Sequence, residues 1–153
     1  MQMNTNGGSK HLIKMTEKIV DVVVAIIYNS RNEVLLQKKD LGYPWFPGKW
    51  CLFGGGIEIK EDKETALYRE ISEELGFRPD NLDFFREFNY EDSCHLGIRK
   101  GKQHVHTCKF YGDIGDLVLK EGAGFAFFSS EELDKYPIVE HDLAVLKEFY
   151  SKS

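Results

Sequence analysis

The sequence predicts an α/β (α+β) domain. Three observations carry this: a β-branched run at 20–27, a capped amphipathic helix at 64–75 and a second helical pattern at 141–150. With 153 residues, 42% of them hydrophobic and 13% aromatic, the chain can bury one real core but cannot divide into two domains. Residues 1–17, with the Gly7-Gly8-Ser9 stretch, are assigned as a flexible tail and 18–153 as the domain.

In chain order, Lys18 to Asn29 is expected to be a mostly buried strand, ended by the turn Ser30-Arg31-Asn32. Glu33 to Lys38 should pair back on it. Lys39 to Lys49, rich in Gly, Pro and aromatics, reads as a loop leading into a short apolar strand at Trp50 to Phe53. From Glu64 to Leu75 no Gly or Pro interrupts a helical pattern, and Gly76 stands where a left-handed C-cap belongs. Further strands are expected near Leu82–Tyr90, Gln103–Gly112 and Gly124–Phe128. Ser129 with Glu132 makes a capping box for a short helix ended before Pro137, and His141 to Tyr150 forms the final amphipathic helix. No internal repeat is present.

Function is concentrated in the helix at 64–75. At about 100° per residue, Glu70, Glu73 and Glu74 share one face, beside an apolar stripe of Leu67, Ile71 and Leu75. Like charges at these spacings repel. Arg69 reaches Glu73 one turn on, but one guanidinium does not neutralise three carboxylates, whereas hard oxygen ligands in a cluster suit Mg²⁺ or Mn²⁺. Gly54, Gly55 and Gly56 precede this segment, so a backbone free of Cβ atoms can approach a phosphate there.

The spacing Gly55, five residues, Glu61, seven residues, Arg69-Glu70-Ile71, one residue, Glu73-Glu74, one residue, Gly76-Phe77 closely resembles the signature of the Nudix hydrolase family. The resemblance implies an α/β/α sandwich around a mixed central sheet. It also implies hydrolysis of a nucleoside diphosphate linked to another group, with divalent ions held by Glu70, Glu73 and Glu74 and water attacking phosphorus. By the same resemblance the Gly55 carbonyl joins the metal ligands, Arg69 orients the glutamates and Glu61 braces the loop. In the MutT-like branch a further metal-binding glutamate precedes a late strand, where Glu121 stands.

Substrate contacts are expected from outside this segment. Tyr43 and Trp45, in the aromatic loop, could stack on a base or sugar, whereas Trp50 is assigned to the core. Lys38 and Lys39 stand near where MutT-like enzymes place arginines beside the nucleotide. Glu140 and His141 occupy the region from which that branch reads a purine through an asparagine, and no asparagine stands there. Phe53 and Lys60 replace a proline and a glycine common in the family, and neither position is a metal ligand.

A MutT-like hydrolase of nucleoside triphosphates or related compounds is therefore expected. Nucleotide-sugar or ADP-ribose hydrolysis is the near alternative, and a non-catalytic nucleotide-sensing module the alternative of another class. A net charge of −5 without a Lys/Arg cluster argues against polymeric nucleic acid. No apolar run approaches the roughly 18 residues of a membrane span, and Met1 to Lys18 is polar, so a cytoplasmic protein without signal peptide or anchor is expected. The three cysteines suggest no disulfide framework. Cys94, His95, His104, His106 and Cys108 do not match a tight metal-ligand spacing, so a structural or substrate-lining role is expected and no zinc. Oligomeric state, including a homodimer, is left open.

Overall fold

The computed structural model describes residues 16–152. The expected tail thus lies outside the described residues except for Thr16 and Glu17, which stand in the first strand, β1 (Thr16–Ile19). Along β2 (Val22–Tyr28), Val23, Ala25 and Ile27 enter one core cluster and Val24 and Ile26 another, because successive strand side chains point to opposite faces. Helix α1 (Lys63–Leu75) closes the first cluster with Ala66, Leu67, Ile71 and Leu75, and helix α2 (Glu140–Ser151) closes the second with Val145 and Leu146. The result is a sheet with a helix on each face. Burying a side chain such as Leu67, which has no exposed surface, stabilises the fold by about 1.5–3 kcal/mol.

The remaining strands are β3 (Val34–Lys38), β4 (Trp50–Cys51), β5 (Phe53–Gly56), β6 (Asp83–Cys94), β7 (Gly97–Lys109) and β8 (Gly124–Phe128). The sheet is mixed. β7 runs parallel to β1 and β2 on one side and antiparallel to β6 on the other, while β3 pairs antiparallel with β2, β4 and β8. β4 pairs with β3 and β5 with β2, and the chain changes partner at Leu52. There side chains replace the ladder: the Leu52 N–H donates to Asp142 Oδ2 at 3.0 Å, and its carbonyl accepts from Gln37 Nε2 at 3.3 Å.

The expected first strand is divided at Val20-Asp21. Val20 N–H bonds the Lys100 carbonyl at 2.8 Å and Asp21 Oδ1 accepts from Lys102 N–H at 3.0 Å, so β1 and β2 still pair with one continuous β7. β6 and β7 reach much further toward each other than expected, as one long hairpin through Glu91–Lys102, with a register shift between Phe84 and Arg86. Helix α1 starts after Asp62, whose Oδ1 accepts from Thr65 N–H at 2.8 Å. It stops at Gly76, at φ 71°, whose N–H returns to the Ser72 carbonyl. Near Ser129 the helix is only a 3₁₀ turn, Ser130–Glu132, with the Glu132 carboxylate accepting from Ser129 N–H at 2.8 Å. Trp50 packs against Phe128 at 4.9 Å between ring centres, in the α2-side core. Among the described residues no helix is long and apolar enough to cross a membrane.

Candidate active site

A cleft of about 530 Å³ opens between the β5–α1 corner, the loop at 39–46 and the β6–β7 hairpin with the start of α2. Its first end is built on α1. Arg69 is the hub: Nε and one terminal nitrogen hold Glu61 at 2.8 and 2.9 Å, and that nitrogen also donates to the Gly56 carbonyl at 3.1 Å. The other terminal nitrogen meets Glu70 Oε2 at 2.8 Å and Glu73 Oε1 at 3.3 Å. Glu61 in turn accepts from Glu58 N–H at 3.1 Å, so the loop before the helix is tied to the helix through one guanidinium. The pairing with Arg69 holds the Glu61 carboxyl below the usual range.

Gly55 is needed here for space rather than for its torsion angles. A Cβ on it would lie 2.5 Å from the carboxyl carbon of Glu70, inside contact distance, so strand and carboxylate approach each other only because this residue is glycine. Glu74 sits beside them, 6% exposed, with Oε1 accepting from Gly54 N–H at 3.0 Å. Burial first, and then the charge of Glu70, push its carboxyl up to about 8 against the opposing pull of Lys39 and the Gly54 N–H, with Glu121 adding to the rise. Glu70 is also raised, by burial above all, with Arg69 opposing and Glu73 and Glu121 adding their repulsion.

The opposite end is a polar network from three distant parts of the chain. Asp142, buried in the first turn of α2, accepts from Gln103 Nε2 at 3.0 Å as well as from Leu52 N–H. His141 lies between two carboxylates, Nδ1 at 3.1 Å from Asp142 Oδ1 and Nε2 at 3.2 Å from Asp92 Oδ1. Burial opposes its charge, but the two aspartates outweigh burial and raise it to about 9. Arg99 lies 3.6 Å from Asp92 Oδ2 and stacks on the Trp45 ring at 4.4 Å. Phe46 packs edge-on to His141, with ring centres 5.9 Å apart.

Of the residues singled out from sequence, Gly55, Glu70, Glu74, Glu121, Lys39, Tyr43, Trp45 and His141 line the cleft, while Arg69 and Glu61 stand directly behind the first end. Glu73 does not line it; more than half exposed, it meets the group through Arg69. Lys38 is not brought to the cleft either. Gln37 and Lys39 are, and strand alternation sends the residue between them to the other side. Glu140 is exposed on the outer side of the α2 start and likewise lies outside the cleft. His141 reaches it, with its two ring nitrogens against Asp142 and Asp92. Asp92, Arg99, Gln103 and Asp142 were not found by sequence reasoning. The one available signal was the Asp142 carboxylate beside His141 at a helix start.

His104, His106 and Cys108 lie on β7, apart from Cys94 and His95 at the hairpin end. His106 is fully buried against the Phe84 ring, and burial lowers its pKa. All three cysteines are free, and burial pushes the Cys51 and Cys108 thiols up to about 12.

As the side chains stand, no three His, Cys, Asp or Glu among the described residues converge on a point that could hold a metal ion, and Glu70 accepts from Arg69. The donor set nevertheless fits a hard divalent cation. Glu70, Glu74 and Glu121, all carboxylates, line the cleft, and the Glu74 carboxyl is raised by burial first and then by the charge of Glu70 and Glu121.

Comparison with known proteins agrees with this arrangement. The model of the NUDIX domain family matches residues 18–149. A CTP pyrophosphohydrolase of Escherichia coli K12 is 28% identical over 132 residues, covering 86% of this chain and 92% of that protein. A nucleoside triphosphatase NudI of Escherichia coli O139:H28 is 64% identical over 55 residues, which is 36% of this chain and 38% of that protein's length. Among solved structures, a MutT protein from Methanosarcina mazei Go1 superposes with a TM-score of 0.76 at 22% identity, covering 91% of this chain and 98% of the other. That likeness concerns the fold.

Proposed function

The chain belongs to the Nudix family, and from that premise we propose that it is a Mg²⁺- or Mn²⁺-dependent pyrophosphohydrolase of nucleoside triphosphates or related nucleoside diphosphate derivatives. The observation that carries this reading is the polarity of the cleft. Glu70, Glu74 and Glu121 with Lys39 gather at one end, and aromatic rings with a neutralised polar network stand at the other. A nucleotide laid along it would place its phosphates among the carboxylates and its base among the rings. The relatives named for CTP and nucleoside triphosphates support the same substrate class.

Glu70, Glu74 and Glu121 would hold the cation, with the Gly55 carbonyl beside them; when bound, it would offset phosphate charge and activate water. Arg69 keeps Glu70 oriented while tying Glu61 and the loop to α1. The Gly54 N–H fixes one oxygen of Glu74 and leaves the other for the cleft. Lys39, whose charge opposes the rise of Glu74, would meet a terminal phosphate, and its Nζ lies 4.7 Å over the Tyr43 ring.

Phosphate and pyrophosphate release over a panel of nucleoside triphosphates, ADP-ribose and nucleotide sugars, with Mg²⁺ or Mn²⁺ and with EDTA, tests the proposal. Turnover of triphosphates that EDTA abolishes is expected. Preference for a sugar conjugate would shift the substrate class, and nucleotide binding without turnover at any metal concentration would favour a sensing module.

A further inference from the structure

The end of the cleft away from the carboxylates contains one polar group whose bonding is unfinished. Asp142 takes Leu52 N–H on one oxygen and Gln103 and His141 on the other. His141 has both nitrogens occupied, and the Tyr90 hydroxyl donates to the Val20 carbonyl. Arg99 is different. Its side chain is 27% exposed, its Nε is buried with no hydrogen-bond partner among the described residues, and its approach to Asp92 is 3.6 Å, too long for a hydrogen bond.

Nε itself is enclosed, so the part of this cleft-lining guanidinium that a ligand can meet is its terminal N–H groups, whose approach to Asp92 leaves room for a closer acceptor. The Trp45 ring, whose centre lies 4.4 Å from Arg99 Cζ, covers one side of the guanidinium and limits the rotamers open to it. Asp92, only 6% exposed, is itself held by His141 and keeps the positive charge of Arg99 in place.

Resting on the proposed nucleotide hydrolysis, we infer that Arg99 is a specificity residue that donates to a ring carbonyl of the nucleobase, with Asp92 and His141 as its positioning residues. Cytosine, uracil and guanine carry such a carbonyl and adenine does not. A carbonyl oxygen, with two lone pairs, accepts from the terminal N–H groups of Arg99 more fully than adenine does, whose ring nitrogens each hold one lone pair and whose N6 amino group is itself a donor. Trp45 and Arg99 then act as a unit, the ring holding the guanidinium from which the base is read.

The test is a comparison of kcat/KM for CTP, GTP, UTP and ATP in wild type and Arg99→Met, which keeps the apolar stem on Trp45. Wild type should favour the three carbonyl-bearing substrates over ATP by roughly 10-fold or more, and Arg99→Met should lower only those three by roughly 10- to 100-fold, mainly through KM. An equal loss with ATP would make Arg99 a phosphate or general electrostatic contact and overturn the inference, as would no loss or a wild type without base preference. Metal-free calorimetric titration with CMP and AMP separates this from the proposed chemistry. Tighter binding of CMP that disappears in Arg99→Met supports the inference even if no triphosphate is turned over, an outcome that sinks only the hydrolase reading. Equal CMP and AMP binding to wild type overturns it without recourse to any variant.

Discussion

The two ends of the cleft handle charge in opposite ways. At the α1 end, Glu70, Glu74 and Glu121 repel one another, and Arg69 is committed behind them to Glu61, Glu70 and Glu73. At the α2 end, Asp92 and Asp142 are matched by His141 and Arg99, and the carboxylates are bridged by the imidazole between them. At the α2 end each buried carboxylate has its partners in place, whereas at the α1 end Glu74 is raised by burial and then by the charge of Glu70, with too little opposing it. The first end concentrates charge and the second cancels it.

The largest expected effect breaks the first end. Glu74→Gln keeps shape but removes a carboxylate, and hydrolysis should fall by roughly 100- to 1000-fold with Mg²⁺, while thermal melting of the metal-free protein at about pH 9 is unchanged or improved because a reluctant charge is gone. Retained activity in a steady-state assay would remove Glu74 from the metal ligands. The second end should respond the other way. Asp142→Ala strips the Leu52 N–H, Gln103 and His141 of a shared acceptor and should cost about 2–4 kcal/mol in urea unfolding; a cost below about 0.5 kcal/mol would show the network to be ornamental.

A pH titration of stability sharpens the contrast. Glu74, with a folded value of about 8 against an ordinary 4.5, contributes fully below about 4.5 and loses that contribution as pH rises through 8. His141, at about 9 against 6.5, contributes fully below about 6.5 and loses it as pH rises through 9. Both act in the same direction, so the metal-free protein should melt roughly 5–10 °C lower at about pH 9.5 than at about pH 6. Mg²⁺ should restore part of the loss, and only the Glu74 part. Scanning calorimetry that found the higher melting temperature at alkaline pH would contradict both assignments.

The smallest expected effect compares neighbours. Lys39→Ala should raise KM by roughly 10-fold, while Lys38→Ala, on the side of β3 away from the cleft, should change it by less than about twofold. Equal effects in initial-rate measurements would mean that both lysines meet the substrate.

The first end was legible in the sequence because it is local. Lys39 and Glu121 apart, its residues fall within one loop and one helix, where 3.6-residue periodicity places Glu70 beside Glu74 and Gly76 announces the end. The second end was not, because Leu52, Asp92, Arg99, Gln103 and Asp142 meet only through sheet register and the docking of α2. The tip of the β6–β7 hairpin also escaped the reading. Glu91 to Lys102 shows no apolar alternation, and its strand character comes from pairing, Thr16 with Gly97 and Asp92 with Arg99. That second pairing is also what sets the two charged residues side by side at the cleft. Lys38 was misplaced for a smaller reason: which way a strand residue faces depends on a register that two adjacent lysines do not reveal.

The break in the ladder at Leu52 ties these halves together. Leu52 N–H is anchored to Asp142 on α2, and two residues later Gly54 N–H is anchored to Glu74 on α1. This short extended segment works as a ruler laid across the sheet, with one helix pinned at each mark. A shift of α2 that moves Asp142 is therefore carried to the peptide that also locates Glu74, so the separation of the two ends of the cleft is set by the backbone itself rather than left to the helices.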